Sequence, residues 1–171
     1  MKLHEILIKK KAAILQGWRS RILDTYPADA ARFLTQERDR FRNPVGRAVL
    51  QDTDVLLNRL LEREPCASQQ SFPEDLLKIR AVQEYSADEA VGFVFALKSA
   101  IWEQLQGESS VQLAEYVDLE ARIDNLVLQA FGCYMKCREA IHDIRVSEIK
   151  RGFSAAHADR GAIRAAGGSQ E

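Results

Sequence analysis

From Ile123 onward the chain repeats an apolar or small residue at alternating steps of four and three: Ile123, Val127, Ala130, Tyr134, Cys137, Ile141 and Ile144. That spacing follows one stripe of an α-helix and no face of a β-strand, so it predicts a long helix over 110–151 that packs against other helices. Between Leu126 and Cys137 the chain is apolar nearly all round, because Leu126, Leu128, Phe131, Cys133 and Met135 lie off the stripe. Burial on every side is the expected state of such a stretch. Gly132 inside it costs about 1 kcal/mol against alanine, which points to a close helix crossing.

The same reading extends toward the N-terminus. Leu3, Leu7, Ile14, Trp18 and Ile22, widened by Ile6 and Ala13, predict a first helix over 2–25. Tyr26-Pro27 ends it, since the residue before a proline is pushed out of the helical region, and a short helix over 28–38 follows. Asn43 can cap the free amides of a third helix whose first turn takes Pro44. The core face of that helix is Val45, Val49, Leu56, Leu57, Leu60 and Leu61. The polar stretch 64–72 reads as a linker, and Pro73 opens a fourth helix to about Tyr85. Ser86-Ala87-Asp88-Glu89 is a capping box. The helix it starts carries Ala90, Val94, Leu97, Ile101 and Leu105 on one face, with Val91, Phe95 and Trp102 beside it, and stops at Gly107. No stretch alternates as a strand would. The expected fold class is therefore all-α, with about six helices in a bundle or a non-haem globin-like packing and a long C-terminal helix. One domain over 1–151 is expected, followed by a Gly- and Ala-rich flexible tail over 152–171.

Composition narrows the chemistry. The 24 Lys and Arg nearly balance 25 Asp and Glu, leaving a net charge of -1 and no field that would gather nucleic acid. No apolar run reaches the roughly 18 to 20 residues that span a bilayer, so the expectation is a cytoplasmic protein without membrane insertion. Three cysteines, Cys66, Cys133 and Cys137, do not make a disulfide framework. The histidines are His4, His142 and His157, which leaves the middle of the chain without a proximal haem ligand. Glu139-Ala-Ile-His142 has the spacing of a di-iron ligand pair, but a complete site needs a second such motif, and Glu120 on the same seam does not supply it.

Cys133 and Cys137 stand one helical turn apart. Their Cβ atoms are then about 5 to 6 Å apart, too far for a relaxed disulfide. Two thiolates alone do not complete a zinc site, and His142 falls off the helical spacing, so both read as buried hydrophobes, with a redox-responsive pair as the alternative. Trp18 and Trp102 lie on apolar stripes and read as core. The basic runs 9–11 and 38–42 read as solvated helix ends, with a charge-steered protein contact as the alternative. No phosphate-binding glycine loop or nucleophile with its base is present. No enzyme, cofactor or metal is expected.

Three stretches carry a resemblance when taken together. They are Asp39-Arg40-Phe41-Arg42-Asn43-Pro44-Val45-Gly46, then Ile79 to Ser86 running into Ala90 to Phe95, and Tyr134 to Glu139 continuing through Arg145-Val146. They resemble the N-terminal domain of RsbRD-type RsbT co-antagonist proteins over about residues 5–151, with Arg40, Phe41, Asn43, Pro44 and Gly46 as the family-like motif. The resemblance implies a sensory or regulatory domain, similar to the non-haem globin-like domains of stressosome proteins that pair as dimers and pass signals to a following STAS domain. Here the sequence ends 20 residues after Arg151, so the expected reader of the signal is a separate STAS-domain protein or another signalling or redox partner. The expected function is a non-enzymatic sensory and regulatory interaction domain that dimerises through long helices and signals by helix repacking. Standalone versions look like those beside dissimilatory sulfite-reduction genes, which gives the alternative of a structural accessory partner in a redox or stress-signalling assembly. A metal or haem protein is the remaining reading.

Overall fold

The computed structural model describes residues 2–37, 39, 41–62, 72–108 and 111–167, with residues 154–167 described by their backbone alone. Every regular element among them is α-helical: α1 (Leu3–Lys9), α2 (Lys11–Leu23), α3 (Ala28–Gln36), α4 (Pro44–Leu61), α5 (Asp75–Val82), α6 (Ala87–Leu105) and α7 (Leu113–Gly167). The expected all-α class with a long C-terminal helix is what forms. None of these helices is long and apolar enough to cross a membrane.

The seventh helix arises because the predicted first helix is two. Lys10 leaves the helical path at φ -96° and ψ 7°. Hydrogen bonding continues across the bend, from the Lys10 amide to Ile6 O and from the Ile14 amide to Lys10 O. No glycine or proline marks the place in the sequence. Its partners are distant: Lys10 Nζ donates to Gln104 O at 2.5 Å and pairs with Glu108 at 2.9 Å. The basic run is therefore a tie to the end of α6 as well as a solvated face. Past the bend the buried stripe reads Ile14, Leu15, Trp18 and Ile22, and Ala13 is exposed, contrary to its expected place on the stripe.

α6 forms the centre, with α2 on one side, α7 on the other, and α4 and α5 closing the body. Its predicted core face holds, with Ala90, Val94, Leu97 and Ile101 fully buried. Trp18 is fully buried as expected, its Nε1 donating to Phe93 O at 2.6 Å. Trp102 is not core. It is 54% exposed, because its position belongs to the outer side of α6 with Phe95, where the Tyr116 ring meets its edge.

The caps follow the sequence closely. The capping box forms, with the Ser86 amide donating to Glu89 Oε2 at 3.0 Å and the Glu89 amide donating to Ser86 Oγ. Gly107 takes φ +85° after α6, a conformation that glycine adopts without steric cost. Glu84 takes φ 61° after α5 even though it carries a side chain. The Tyr85 amide returns to Arg80 O and the Glu84 amide to Ala81 O, which closes that helix end.

Candidate functional site

The family-like motif is a clasp between α3 and α4. Asn43 is 4% exposed and its Oδ1 accepts the Gly46 amide at 2.8 Å, capping α4. Its Nδ2 donates to Leu34 O and Glu37 O at 2.8 and 2.9 Å, satisfying carbonyls that α3 leaves open at its end. One amide thus closes two helix ends. Gly46 must be glycine for this, since a Cβ there would lie 2.4 Å from Asn43 Nδ2. Pro44 takes the first helical position, where its missing amide proton costs nothing. Phe41 projects from the turn at 96% exposure, and Arg40 lies outside the described residues. Beside the clasp, Leu34, Asn43, Gly46 and Leu50 help line an open cleft of about 370 Å³.

The second stretch builds a cage around Arg80. This residue is fully buried, with its guanidinium 5.3 Å from the Tyr85 ring centre, 5.4 Å from Phe93 and 6.0 Å from Tyr26. Nη1 donates to Glu89 O at 2.8 Å, and Nη2 reaches Thr25 Oγ1 at 3.3 Å. The three aromatic faces stand in for a carboxylate that the cage does not contain. Arg80 thereby fixes the corner between α5 and α6 against the end of α2.

That corner is where α7 is latched. Tyr134 OH donates to Tyr85 O, Arg138 Nη1 to Ala81 O at 3.3 Å, and Arg145 pairs with Glu84 at 2.7 Å. Burial along the predicted seam falls in step. Ile123, Ala130 and Tyr134 are buried in this chain's own core, Val127, Cys137 and Ile141 are half-buried, and Ile144 is 59% exposed. The first half of the seam is spent on internal packing.

The expected burial on all sides does not hold within one chain. Leu128 is 70% exposed, Phe131 46% and Met135 39%. They share the side of α7 that faces away from α5 and α6. Gly132 lies on that side too, and a Cβ there would meet nothing within 4 Å, so the crossing it was expected to mark is not made among the described residues. Alongside, Lys98 of α6 pairs with Glu120 and Asp124 at 2.5 and 2.7 Å and covers the Phe95 ring, which is 49% exposed.

The clasp, the corner and the latch all fall inside one match. The sequence profile of the RsbT co-antagonist protein rsbRD N-terminal domain covers residues 12–149. The chain belongs to this family. It is a family of regulatory domains in stress signalling. No curated protein and no solved structure matches the chain.

Three positions of this rsbRD-type domain escape a reading by stripes. Arg80 sits on the buried face of α5 between Leu76, Leu77 and Ala81, and a charge at core spacing is the only local sign of it. Asp52 is buried on α4, where its Oδ2 accepts the Leu76 amide at 2.9 Å. Glu74 comes to Cys133, with Oε2 3.5 Å from Sγ, a pairing across 59 residues. Burial pushes the Cys133 thiol up to about 12 and raises that of Cys137. Glu139 and His142 are exposed and Glu120 is taken by Lys98 and Tyr116, so the di-iron-like spacing gathers no site. Cys66 lies outside the described residues.

Proposed function

We propose that the chain is a non-enzymatic sensory and regulatory domain of the cytoplasm that pairs with a second copy across the outer face of α7 and signals by changing how α7 packs. The observation that carries this reading is the exposed row Leu128, Phe131 and Met135 around the open Gly132. Large apolar side chains grouped on one face of a helix are stabilised by leaving water, at about 25 cal/mol per Å² buried. A glycine among them lets a second helix backbone come close.

A second copy suits this face better than an unrelated helix. Asp124 and Arg138 each lie seven residues from Phe131, so an antiparallel two-fold crossing centred there sets Asp124 of one copy level with Arg138 of the other. The latch residues Tyr134, Arg138 and Arg145 join that interface to the α5–α6 corner. A signal that shifts the corner then shifts α7, and the distal part of the helix, about 80 Å long over its 55 residues, carries the change to a signalling partner.

Light scattering and sedimentation on the purified chain test the pairing. The wild type is expected to be a dimer at high micromolar concentration. Leu128→Glu with Phe131→Glu is expected to be a monomer with an unchanged circular dichroism spectrum. A wild-type monomer at that concentration removes the reading.

A further inference from the structure

The fold brings together three side chains of metal-liganding type that the sequence keeps apart. Cys133 and Cys137 stand on the side of α7 that faces α5, and Glu74 is the residue before α5 begins. Their two sulfurs and one carboxylate oxygen all lie within 4.8 Å of one another, at half-buried positions. Spacing of one helical turn holds two cysteines too far apart for a relaxed disulfide, yet it suits two sulfurs sharing one ion.

The distances fit a particular ion. Tetrahedral zinc, with bonds of about 2.3 Å to sulfur and about 2.1 Å to oxygen, needs ligand atoms roughly 3.6 to 3.8 Å apart. Cys133 Sγ and Glu74 Oε2 are already 3.5 Å apart, and side-chain rotation closes the rest. The carboxylate is oriented for this role from behind, since Lys78 Nζ holds Oε1 while Oε2 faces the sulfur. Two thiolates and a carboxylate exceed the charge of a divalent ion by one. Lys78 and Lys136, both acting on Glu74, offset that excess.

We propose that Cys133, Cys137 and Glu74 bind a zinc ion, with water as the fourth ligand. Thiolate ligands select zinc over magnesium and calcium, which take oxygen alone. Binding exchanges the two thiol protons for the metal. The ion staples the start of α5 to α7 at the level where the long helix leaves the core, beside buried Tyr134 and ahead of exposed Ile144. Metal occupancy therefore strengthens the α5–α7 contact. This inference stands independently of the pairing proposed above.

The test uses the full chain, kept reduced and titrated with Co2+ and then Zn2+. One equivalent of Co2+ is expected to give a thiolate-to-metal charge-transfer absorption with tetrahedral d–d bands, which Zn2+ abolishes, and Zn2+ is expected to raise Tm. Cys133→Ser and Cys137→Ser are each expected to weaken zinc binding by more than about a hundredfold, beyond the roughly 10- to 100-fold that loss of an outer-shell partner costs. Glu74→Gln, at a position that leaves the core intact, is expected to weaken it at least about tenfold. Cys66→Ser is expected to bind as the wild type does. Circular dichroism on each variant separates loss of a ligand from loss of the fold. The proposal is overturned by an octahedral cobalt spectrum without a charge-transfer band. A band that survives either Cys133→Ser or Cys137→Ser, or that disappears in Cys66→Ser, also overturns it.

Discussion

Replacing Asp52 by asparagine isolates the one buried carboxylate among the described residues, whose proton the fold retains to higher pH. Burial is the largest influence on Asp52 and pushes its carboxyl up from 3.8 to about 6, against the pull of the Leu76 amide and of Lys78 and with help from Asp75 and Glu74. The folded protein therefore keeps this proton after the unfolded chain has lost it. Between 3.8 and about 6 the unfolded state is favoured step by step as pH rises, and the loss is complete above the folded value. The gap corresponds to about 3 kcal/mol. Asparagine retains an oxygen for the Leu76 amide and cannot ionise, so its own effect is an offset that does not vary with pH. Urea unfolding of both proteins from about pH 3.5 to about pH 7 provides the comparison, with far-ultraviolet circular dichroism as the readout. Carboxylates held low by partners away from Asp52, such as Glu84 and Glu108, titrate alike in both and cancel. Asp52→Asn is expected to gain about 3 kcal/mol on the wild type across that range. A difference that stays flat would show that water reaches the carboxyl in the folded state, and the account of its burial would fall.

Four further outcomes are expected. Gly46→Ala drives a methyl to 2.4 Å from Asn43 Nδ2 and should cost about 2 kcal/mol or more in thermal unfolding, with Asn43→Ala costing a similar amount and the pair less than the sum. Glu84→Gly should raise stability by about 1 kcal/mol, since relief of the left-handed backbone exceeds the value of the exposed pair with Arg145; a loss of stability would show that the pair counts for more than the strain. Arg80→Lys should lose about 2 kcal/mol more than Arg80→Met in chemical denaturation, because an ammonium cannot spread over three rings and two carbonyls in the first turn of α6, and equal losses would deny the cage its role. In metal-free protein Cys133 should react with iodoacetamide at neutral pH at least about a hundredfold more slowly than free cysteine, and Cys137 more slowly than free cysteine, as followed by mass spectrometry, because burial raises both thiols.

Where a single helix decides a side chain's fate, the sequence was enough. Asn43, Pro44 and Gly46 announce a cap because the partners lie within three residues, and the Ser86 box forms for the same reason. The core faces of α4 and α6 follow from spacing alone. Reading fails where a partner is remote in the chain. The bend at Lys10 has no local marker and its side chain binds Gln104 and Glu108, while Trp102 carries the apolar signature of a core residue in a place that α7 covers only in part, through Tyr116. Glu74 could not be assigned to the thiols by spacing, because nothing in 59 residues of chain tells which turn of α7 it will meet.

α7 makes the same point in a stronger form, because hydrophobic periodicity reports that a side will be covered and not by what. Ile123, Leu126, Ala130 and Tyr134 are buried against α5, α6 and their neighbours, while Leu128, Phe131 and Met135 point the other way. A helix serving only its own core would carry polar side chains on that second side, as α4 does at Arg47, Gln51 and Asn58. The apolar character of both sides from Leu126 to Cys137 is thus the composition that the proposed pairing requires, with α7 between two partners. The first is the body of this chain. Residues on the second face are free to change without unfolding that body, so substitutions at Leu128 and Phe131 should alter association while leaving thermal stability at low concentration within about 0.5 kcal/mol of the wild type. Substitutions at Ala130 and Tyr134 should do the reverse.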